Sequence, residues 1–376
     1  MPRRTMRRFI RHEKFGFIVA PPFTETLLFL GKAPVKRPLS APVEVHISLA
    51  SHCPNRCSHC YENSNPACGS DHGLGLEEWK SVISLLGKMG VFHCAFGGGE
   101  PLALPWLFDI ARHARNSGIV PNLTTSGIGM TESWVRRSGV FGQVNVSFDG
   151  RGGPRSADLQ KAALEAMKLL ARHRKHTGIN CVVTGNNFHE LDDICAAAKR
   201  AGMDEVELLR VKPAGRAASG GNTGPSSIYA QLDLADAMYQ ALPRVVENLI
   251  RRHKIRMKLD CSFVPIIASA GFKPWLMELC GASGCEGGNE LCAIDPEGKV
   301  TGCSFCAEAD CRADELNSRW GHRDAFEMFR RWEEKGDPKC LSCDHFEVCR
   351  GGCHVVSRFV KGSWYAADPS CALARR

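Results

Sequence analysis

Hydrophobic and polar positions give this chain two rhythms. Between residues 43 and 214, short apolar runs of strand length recur at 43–49, 94–96, 120–124, 143–148, 180–183 and 205–209. Longer segments separate them, at 76–89, 104–117, 132–138, 157–176 and 190–201. Their apolar residues return every three to four positions, the period of one helix face. Strands alternating with helices predict parallel β/α units. Right-handed crossovers would curl six such units into a sheet or an incomplete barrel, with the functional loops at the C-terminal ends of the strands.

The flanking regions follow other patterns. Residues 1–42 read as an appendage. Its β-like runs at 15–20 and 26–30 flank Pro21-Pro22-Phe23-Thr24, so a hairpin is expected, followed by a proline-rich linker at 34–42. The Gly- and Ser-rich stretch 215–227 is a flexible connection, and helical periodicity returns over 228–254, so 216–280 reads as linker and helix. From 281 to 376 cysteine and glycine are frequent and long helices few, which predicts a second domain held by bound clusters.

Composition narrows the picture. At 376 residues and 44% hydrophobic, the chain can build more than one core and is not disordered. Most of the 19 cysteines lie in the last hundred residues, several at C-x2-C spacing. In a chain this long, that pattern indicates metal or cluster binding in a reducing compartment, not a disulfide framework. The net charge of +8 comes partly from runs such as Arg251-Arg252-His253-Lys254, read as solvated helix faces. No basic motif is interleaved with aromatics, so nucleic acid is not expected as a partner. No run reaches the ~18 apolar residues of a membrane span. Arg7-Arg8-Phe9 precedes an apolar run that stops at Pro21, too short for an export signal core, so a cytoplasmic protein is expected.

The chemistry concentrates in Cys53-Pro54-Asn55-Arg56-Cys57-Ser58-His59-Cys60, just after the first strand. Three thiolates this close can hold one iron-sulfur cluster and leave one iron open to a substrate or cofactor. Gly97-Gly98-Gly99-Glu100-Pro101 follows the second strand. Glycines there permit close backbone approach, and a carboxylate beside them can hold an ammonium group. This C-x3-C-x2-C triplet, with the Gly-Gly-Glu edge one β/α unit later, resembles the signature of the radical S-adenosylmethionine (SAM) enzymes.

The resemblance implies a partial (β/α)6, TIM-like barrel of α/β class over 43–215. It implies a [4Fe-4S] cluster on Cys53, Cys57 and Cys60 whose open iron binds the amino and carboxylate groups of SAM. His59 stands where the family usually has an aromatic residue near the adenine. Gly98, Gly99 and Glu100 match the edge that binds the SAM amino group. Ser147 and Asp149, ending the fourth strand, match common polar SAM contacts. Thr124-Thr125-Ser126-Gly127 resembles a frequent Thr-Asn-Gly. Arg210, ending the sixth strand in Arg210-x-x-Pro213-x-Gly215, matches a further recurrent motif.

A second resemblance lies in residues 281–376. Cys340-x2-Cys343-x5-Cys349-x3-Cys353, a gap to Cys371, and upstream Cys285, Gly298 and Cys303 are similar to the SPASM domain of radical SAM peptide-modifying enzymes. Zinc is the alternative for such C-x2-C pairs. The resemblance implies two auxiliary [4Fe-4S] clusters. Cys285, Cys303 and Cys353 would bind the first, with Cys292 as fourth ligand or Cys306 or Cys311 in its place. Cys340, Cys343, Cys349 and Cys371 would bind the second. Cys94, Cys181 and Cys195 sit in apolar patterns and read as core thiols.

In this family one electron cleaves SAM to methionine and a 5′-deoxyadenosyl radical, which removes a hydrogen atom from an unactivated carbon. Auxiliary clusters suit the electron that must then leave, and so suit net oxidation. Sulfatase-maturing relatives carry an acidic residue after the cysteine matching Cys303. Here it is Ser304, which argues against formylglycine formation by that base, and Asp295-Pro296-Glu297-Gly298 reads as a turn. The expected activity is oxidative modification of a ribosomally made precursor peptide, a cross-link foremost, with an external flavodoxin- or ferredoxin-like electron donor. The alternatives are a radical SAM dehydrogenase or cofactor-biosynthesis enzyme acting on a small molecule, or a cluster protein without catalysis.

Overall fold

The structure is a computed structural model describing residues 10–20, 28–31, 37–69, 73–173, 176–220 and 227–375. The basic start of the chain, the Pro21-Pro22 turn, residues 34–36 of the linker and residues 221–226 of the Gly/Ser-rich connection lie outside them. The appendage is a three-stranded antiparallel sheet of β1 (Ile10–Glu13), β2 (Gly16–Val19) and β3 (Leu28–Gly31). The expected hairpin is β2–β3, and β1 adds a strand that its polar residues concealed. Arg11 anchors this sheet to the barrel, donating to the carbonyls of Pro42 (2.9 Å) and Gly90 (3.2 Å).

Six parallel strands in chain order form the barrel: β4 (Glu44–Ser48), β5 (His93–Gly97), β6 (Val120–Thr125), β7 (Val144–Ser147), β8 (Thr177–Val183) and β9 (Glu205–Arg210). The crossover helices are α1 (Leu76–Met89), α2 (Leu107–Asn116), α3 (Glu132–Arg137), α4 (Ala157–His173) and α5 (Leu191–Ala201). α2 starts later than its periodicity suggests, because Pro101–Ala103 forms a separate 3-10 turn capped by Glu100. Beyond β9 come α6 (Ile228–Leu232), α7 (Asp236–His253) and β10 (Arg256–Leu259), which pairs parallel with β9. At the other edge β11 (Leu291–Ile294) pairs parallel with β4, followed by antiparallel β12 (Lys299–Thr301) and β13 (Cys311–Arg312). The cysteine-rich region therefore shares one ten-stranded sheet with the barrel.

Strand alternation builds two different faces. On β4, Val45 and Ile47 are buried against the helices, with Trp79, Ile83 and Leu86 of α1 in the same core. Cys94, Cys181 and Cys195 lie in that core too, fully buried. The other face is polar. Gln143 donates to Asn145 (2.7 Å) and to Glu205 (2.5 Å), and Asn145 donates to Asn180 (2.7 Å). The barrel interior is thus a polar chamber.

A buried ion pair ties the far end of the barrel to the C-terminus. Arg210, 2% exposed, donates to Asp368 (2.9 and 3.1 Å), the Tyr239 hydroxyl (2.8 Å), Ser370 (2.5 Å) and the Ser262 carbonyl (3.4 Å). Asp368 in turn accepts from the backbone N–H of Cys353 at 2.9 Å. Among the described residues no helix is long and apolar enough to cross a membrane.

Two outcomes follow. Arg210→Ala leaves the buried Asp368 carboxylate without its cationic partner, so stability should fall by roughly 3–5 kcal/mol, read by denaturant unfolding of the cluster-free protein. Glu207, on the chamber side of β9, has its carboxyl lifted to about 7 by burial, against the pull of Lys258. Because the folded state holds this proton more tightly than the unfolded state, raising the pH from about 5 to about 7.5 should lower stability, and Glu207→Gln should flatten that slope.

Candidate active site and cluster-binding cysteines

Cys53, Cys57 and Cys60 lie on the long loop between β4 and α1, at the C-terminal mouth of the barrel. The loop has almost no regular structure, so its neighbours place it. Gly99 N–H donates to Ala50 O (2.6 Å), Glu100 N–H to His52 O (3.0 Å) and Arg216 N–H to Cys60 O (2.9 Å). The glycines make this approach feasible. A Cβ on Gly99 would stand 1.8 Å from His52 O, and one on Gly98, whose φ is +102°, 2.7 Å from Ala50 O. Gly215 closes the opposite side, where a Cβ would meet Tyr61 O at 2.3 Å.

Around the triplet lie groups the sequence pointed to and groups it did not. His59 is buried with its Nε2 3.9 Å from Asp149. Burial, then the nearby charges of Arg155 and Arg216, hold its pKa well below the usual histidine value, so the ring is neutral. Asp149 is fully enclosed, accepting from Arg155 (2.7 Å) and the Val182 N–H (2.8 Å). Arg155 also reaches the Cys57 sulfur at 3.9 Å. Arg216 donates to Cys57 O (2.8 Å) and Asn63 (3.2 Å). Neither arginine was singled out by a motif. Arg155 pairs with a carboxylate six residues away, and Arg216 directly follows a glycine motif whose role is steric. Ser147 ends β7 on the chamber face, beside Asn180 of β8.

Glu100 and Arg210 both have partners within the protein. The Glu100 carboxylate lies close enough to Cys53 for its charge to raise that thiol. It is buried and accepts from the Thr125 hydroxyl (2.6 Å), Ser126 N–H (2.8 Å) and hydroxyl (2.5 Å), and Leu102 N–H (3.1 Å), locking the ends of β5 and β6 together. The Arg210 guanidinium is engaged by Asp368, Tyr239 and Ser370.

The residues fit a cluster with SAM. The three thiols share one loop, and burial pushes Cys53 up to about 11 and raises Cys57, so these two await a cation to become thiolates. Two buried donors beside them, His59 Nδ1 and Arg216 Nη2, have no protein partner. Such orphans suit a polar ligand. Among the described residues no three or more Cys, His, Asp or Glu side chains converge as ligands of a single metal ion. Zinc needs its ligand sulfurs within about 2.3 Å of one point, while an iron-sulfur cluster carries them on separate irons.

The C-terminal cysteines fall into groups. Cys340, Cys343, Cys349 and Cys371 line one pocket. Cys285 lies near enough to feel the charge of Cys303 and Cys353, and Cys303 that of Cys353. Cys292 does not join them, which corrects the expected fourth ligand. On β11 it stands in register with Val45, on the helix-facing side of the sheet, fully buried and near Cys94 and Cys311. Cys306 turns instead to Glu308 (3.5 Å) and Met328 (3.7 Å). Ser304 pairs with His46 at 3.0 Å, and Asp295 accepts from the N–H groups of Glu297 and Lys299, a turn as expected.

Gly99→Ala should push the cysteine loop off β5, so anaerobic reconstitution should yield about four fewer irons per chain while the far-ultraviolet dichroism stays unchanged. Replacing Cys53, Cys57 and Cys60 together should give the same loss and abolish SAM cleavage.

Comparison with known proteins agrees with this site. Residues 47–198 match the family model of the Radical SAM superfamily. The chain is 29% identical over 354 residues to PqqA peptide cyclase of Bradyrhizobium diazoefficiens, covering 89% of this chain and 87% of that protein. It is 27% identical over 350 residues to mycofactocin maturase MftC of Mycolicibacterium smegmatis, covering 89% and 84%. The fold is similar to that of Streptococcus suis SuiB bound to precursor peptide SuiA, with a TM-score of 0.69, 19% identity and coverage of 89% and 76%. The triplet at the barrel mouth, the glycine edge that seats it and this match together identify the chain as a radical SAM enzyme, with a [4Fe-4S] cluster and SAM as its cofactors.

Proposed function

We propose that this enzyme oxidatively modifies a ribosomally synthesised precursor peptide, a cross-link being the outcome its architecture suits best. When bound, the cluster and SAM supply abstraction of a hydrogen atom from an unactivated C–H bond. The rest falls to the protein's own residues. Arg216, Asp149 and Arg155 hold the cysteine loop and its surroundings rigid, Glu100 fixes the neighbouring loops, and the polar chamber orients the substrate and excludes bulk water.

The observation that carries the oxidative reading is the contact between the two cysteine regions. Tyr61, next to Cys60, packs on Phe305, two residues after Cys303, with ring centroids 4.9 Å apart. Lys212 caps the other side of that ring, its Nζ 4.4 Å from the centroid. Cys285, Cys303 and Cys353 would hold one auxiliary [4Fe-4S] cluster there, and Cys340, Cys343, Cys349 and Cys371 a second. An electron leaving the substrate then has an acceptor directly behind the barrel, and a flavodoxin- or ferredoxin-like protein would supply the initiating electron. That one named relative is a peptide cyclase and that SuiB is seen bound to a precursor peptide support a peptide substrate. Nineteen free thiols and labile clusters suit a reducing cytoplasm.

Anaerobic co-expression with a short peptide encoded beside the gene, followed by high-resolution mass analysis in ordinary and deuterated water, tests this. Loss of paired hydrogens indicates the expected cross-link. Deuterium retained at carbon indicates epimerisation instead. An unchanged peptide, with SAM cleavage confirmed in the same preparation, would overturn the peptide reading in favour of a small-molecule substrate.

A further inference from the structure

We propose that His46 accepts the proton released when the substrate radical is oxidised, and that Ser304 is the residue that positions it. The assignment rests on the reading above that the enzyme oxidises a peptide. The pleat of β4 places the ring. Val45 and Ile47 point into the helix-packed core at 0% and 1% exposure, so Glu44, His46 and Ser48 face the chamber. The His46 and Glu44 side chains keep 39% and 36% of their surface open there. The residues level with His46 on the two neighbouring strands are Ala95 of β5 and Ala293 of β11, whose small side chains leave the imidazole standing clear of the wall.

Ser304 fixes the ring from a distant segment. It lies in the turn after β12, and its Oγ is 3.0 Å from His46 Nδ1. The turn has its own supports, because the Thr301 hydroxyl (2.9 Å) and the Cys306 N–H (3.0 Å) both donate to the Cys303 carbonyl. The next residue, Phe305, is held between Tyr61 and Lys212. Two positions along β4, the Ser48 hydroxyl donates to Glu62, which follows Tyr61. The ring therefore stands just inside the chamber, below the contact that joins the two cysteine regions.

This geometry suits a base. When Nδ1–H is given to the Ser304 oxygen, Nε2 keeps its lone pair and can take a proton. Glu44 Oε1 lies 3.8 Å from Nε2, too far for a hydrogen bond and near enough to stabilise the imidazolium once it forms. The step balances. Hydrogen abstraction leaves a radical on a substrate carbon. Joining that carbon to an X–H group of the same peptide breaks the X–H bond and releases one electron and one proton. The electron passes to an oxidised iron-sulfur centre of the C-terminal region, and the proton to His46 Nε2. The carboxylates nearer the mouth are committed elsewhere: Glu100 to Thr125 and Ser126, Asp149 to Arg155 and the Val182 N–H, and Asp260 to Lys212 and the Ser262 N–H.

The test uses the full-length protein, reconstituted anaerobically, with the short peptide encoded beside the gene carrying deuterium on its side-chain carbons. Two quantities are read together: deuterium transferred to 5′-deoxyadenosine, and modified peptide formed per 5′-deoxyadenosine. His46→Asn keeps a hydrogen-bonding group near the Nδ1 position and removes Nε2. It should transfer deuterium within about threefold of the parent rate, while modified peptide per 5′-deoxyadenosine falls about a hundredfold. The stalled radical should instead take an electron from the assay reductant and a proton from water, returning unmodified peptide with one deuterium replaced by hydrogen. Imidazole added to His46→Gly should raise the product ratio about tenfold, and Ser304→Ala, which frees the ring to turn, should lower it about tenfold with deuterium transfer retained. An equal loss of deuterium transfer and product in His46→Asn, with no rescue of His46→Gly, would show that the ring only ties β4 to the turn, and would overturn the assignment. So would an unchanged product ratio. Wild-type protein that cleaves SAM but neither takes deuterium from the peptide nor alters it would overturn the peptide reading itself, and this assignment with it.

Discussion

The site depends on seating a loop that cannot seat itself. Residues 50–65 carry three cluster-binding thiols with almost no internal regular structure, and a cluster tolerates little error in where those sulfurs stand. Backbone hydrogen bonds from the end of β5 and from Arg216 supply the missing order. They form only because Gly98, Gly99 and Gly215 lack the Cβ atoms that would collide with loop carbonyls. The glycine motif is thus a steric device before it is a binding one, and the Glu100 carboxylate serves the same end by joining the tips of β5 and β6.

A second constraint is electrostatic. The Arg210–Asp368 pair is buried on both sides, and desolvation makes such a pair costly unless every donor is satisfied. Here the guanidinium has Asp368, Tyr239, Ser370 and a backbone carbonyl, and Asp368 has the Cys353 N–H. The pair also has a geometric consequence. It fixes a C-terminal cysteine against the last barrel strand, and the Tyr61–Phe305 contact brings the two cysteine regions together at the barrel mouth.

How far the fold was legible follows from the strands themselves. Runs such as Val144-Asn145-Val146-Ser147 announce strands through their apolar alternates, while the polar alternates belong to the chamber. β10, reading Arg256-Met257-Lys258-Leu259, was hidden because both of its charged residues pair with Glu205, 51 and 53 positions away in chain order by simple subtraction. β1 was hidden in the same way, since Arg11 and Glu13 satisfy each other and the barrel.

The sequence by itself determined whatever is encoded in local spacing: the β/α alternation, the C-x3-C-x2-C triplet, the glycine edge after β5, and the cysteines that line the C-terminal pocket. Only the tertiary structure decided which side chains from distant segments meet. It joined Arg210 to Asp368, placed Arg155 and Arg216 beside Cys57, and turned Cys292 to the helix-facing side of the sheet. The physical reason is the pleat and the packing. A strand sends neighbouring side chains to opposite faces, so one residue of register decides whether a thiol faces a cluster or a core.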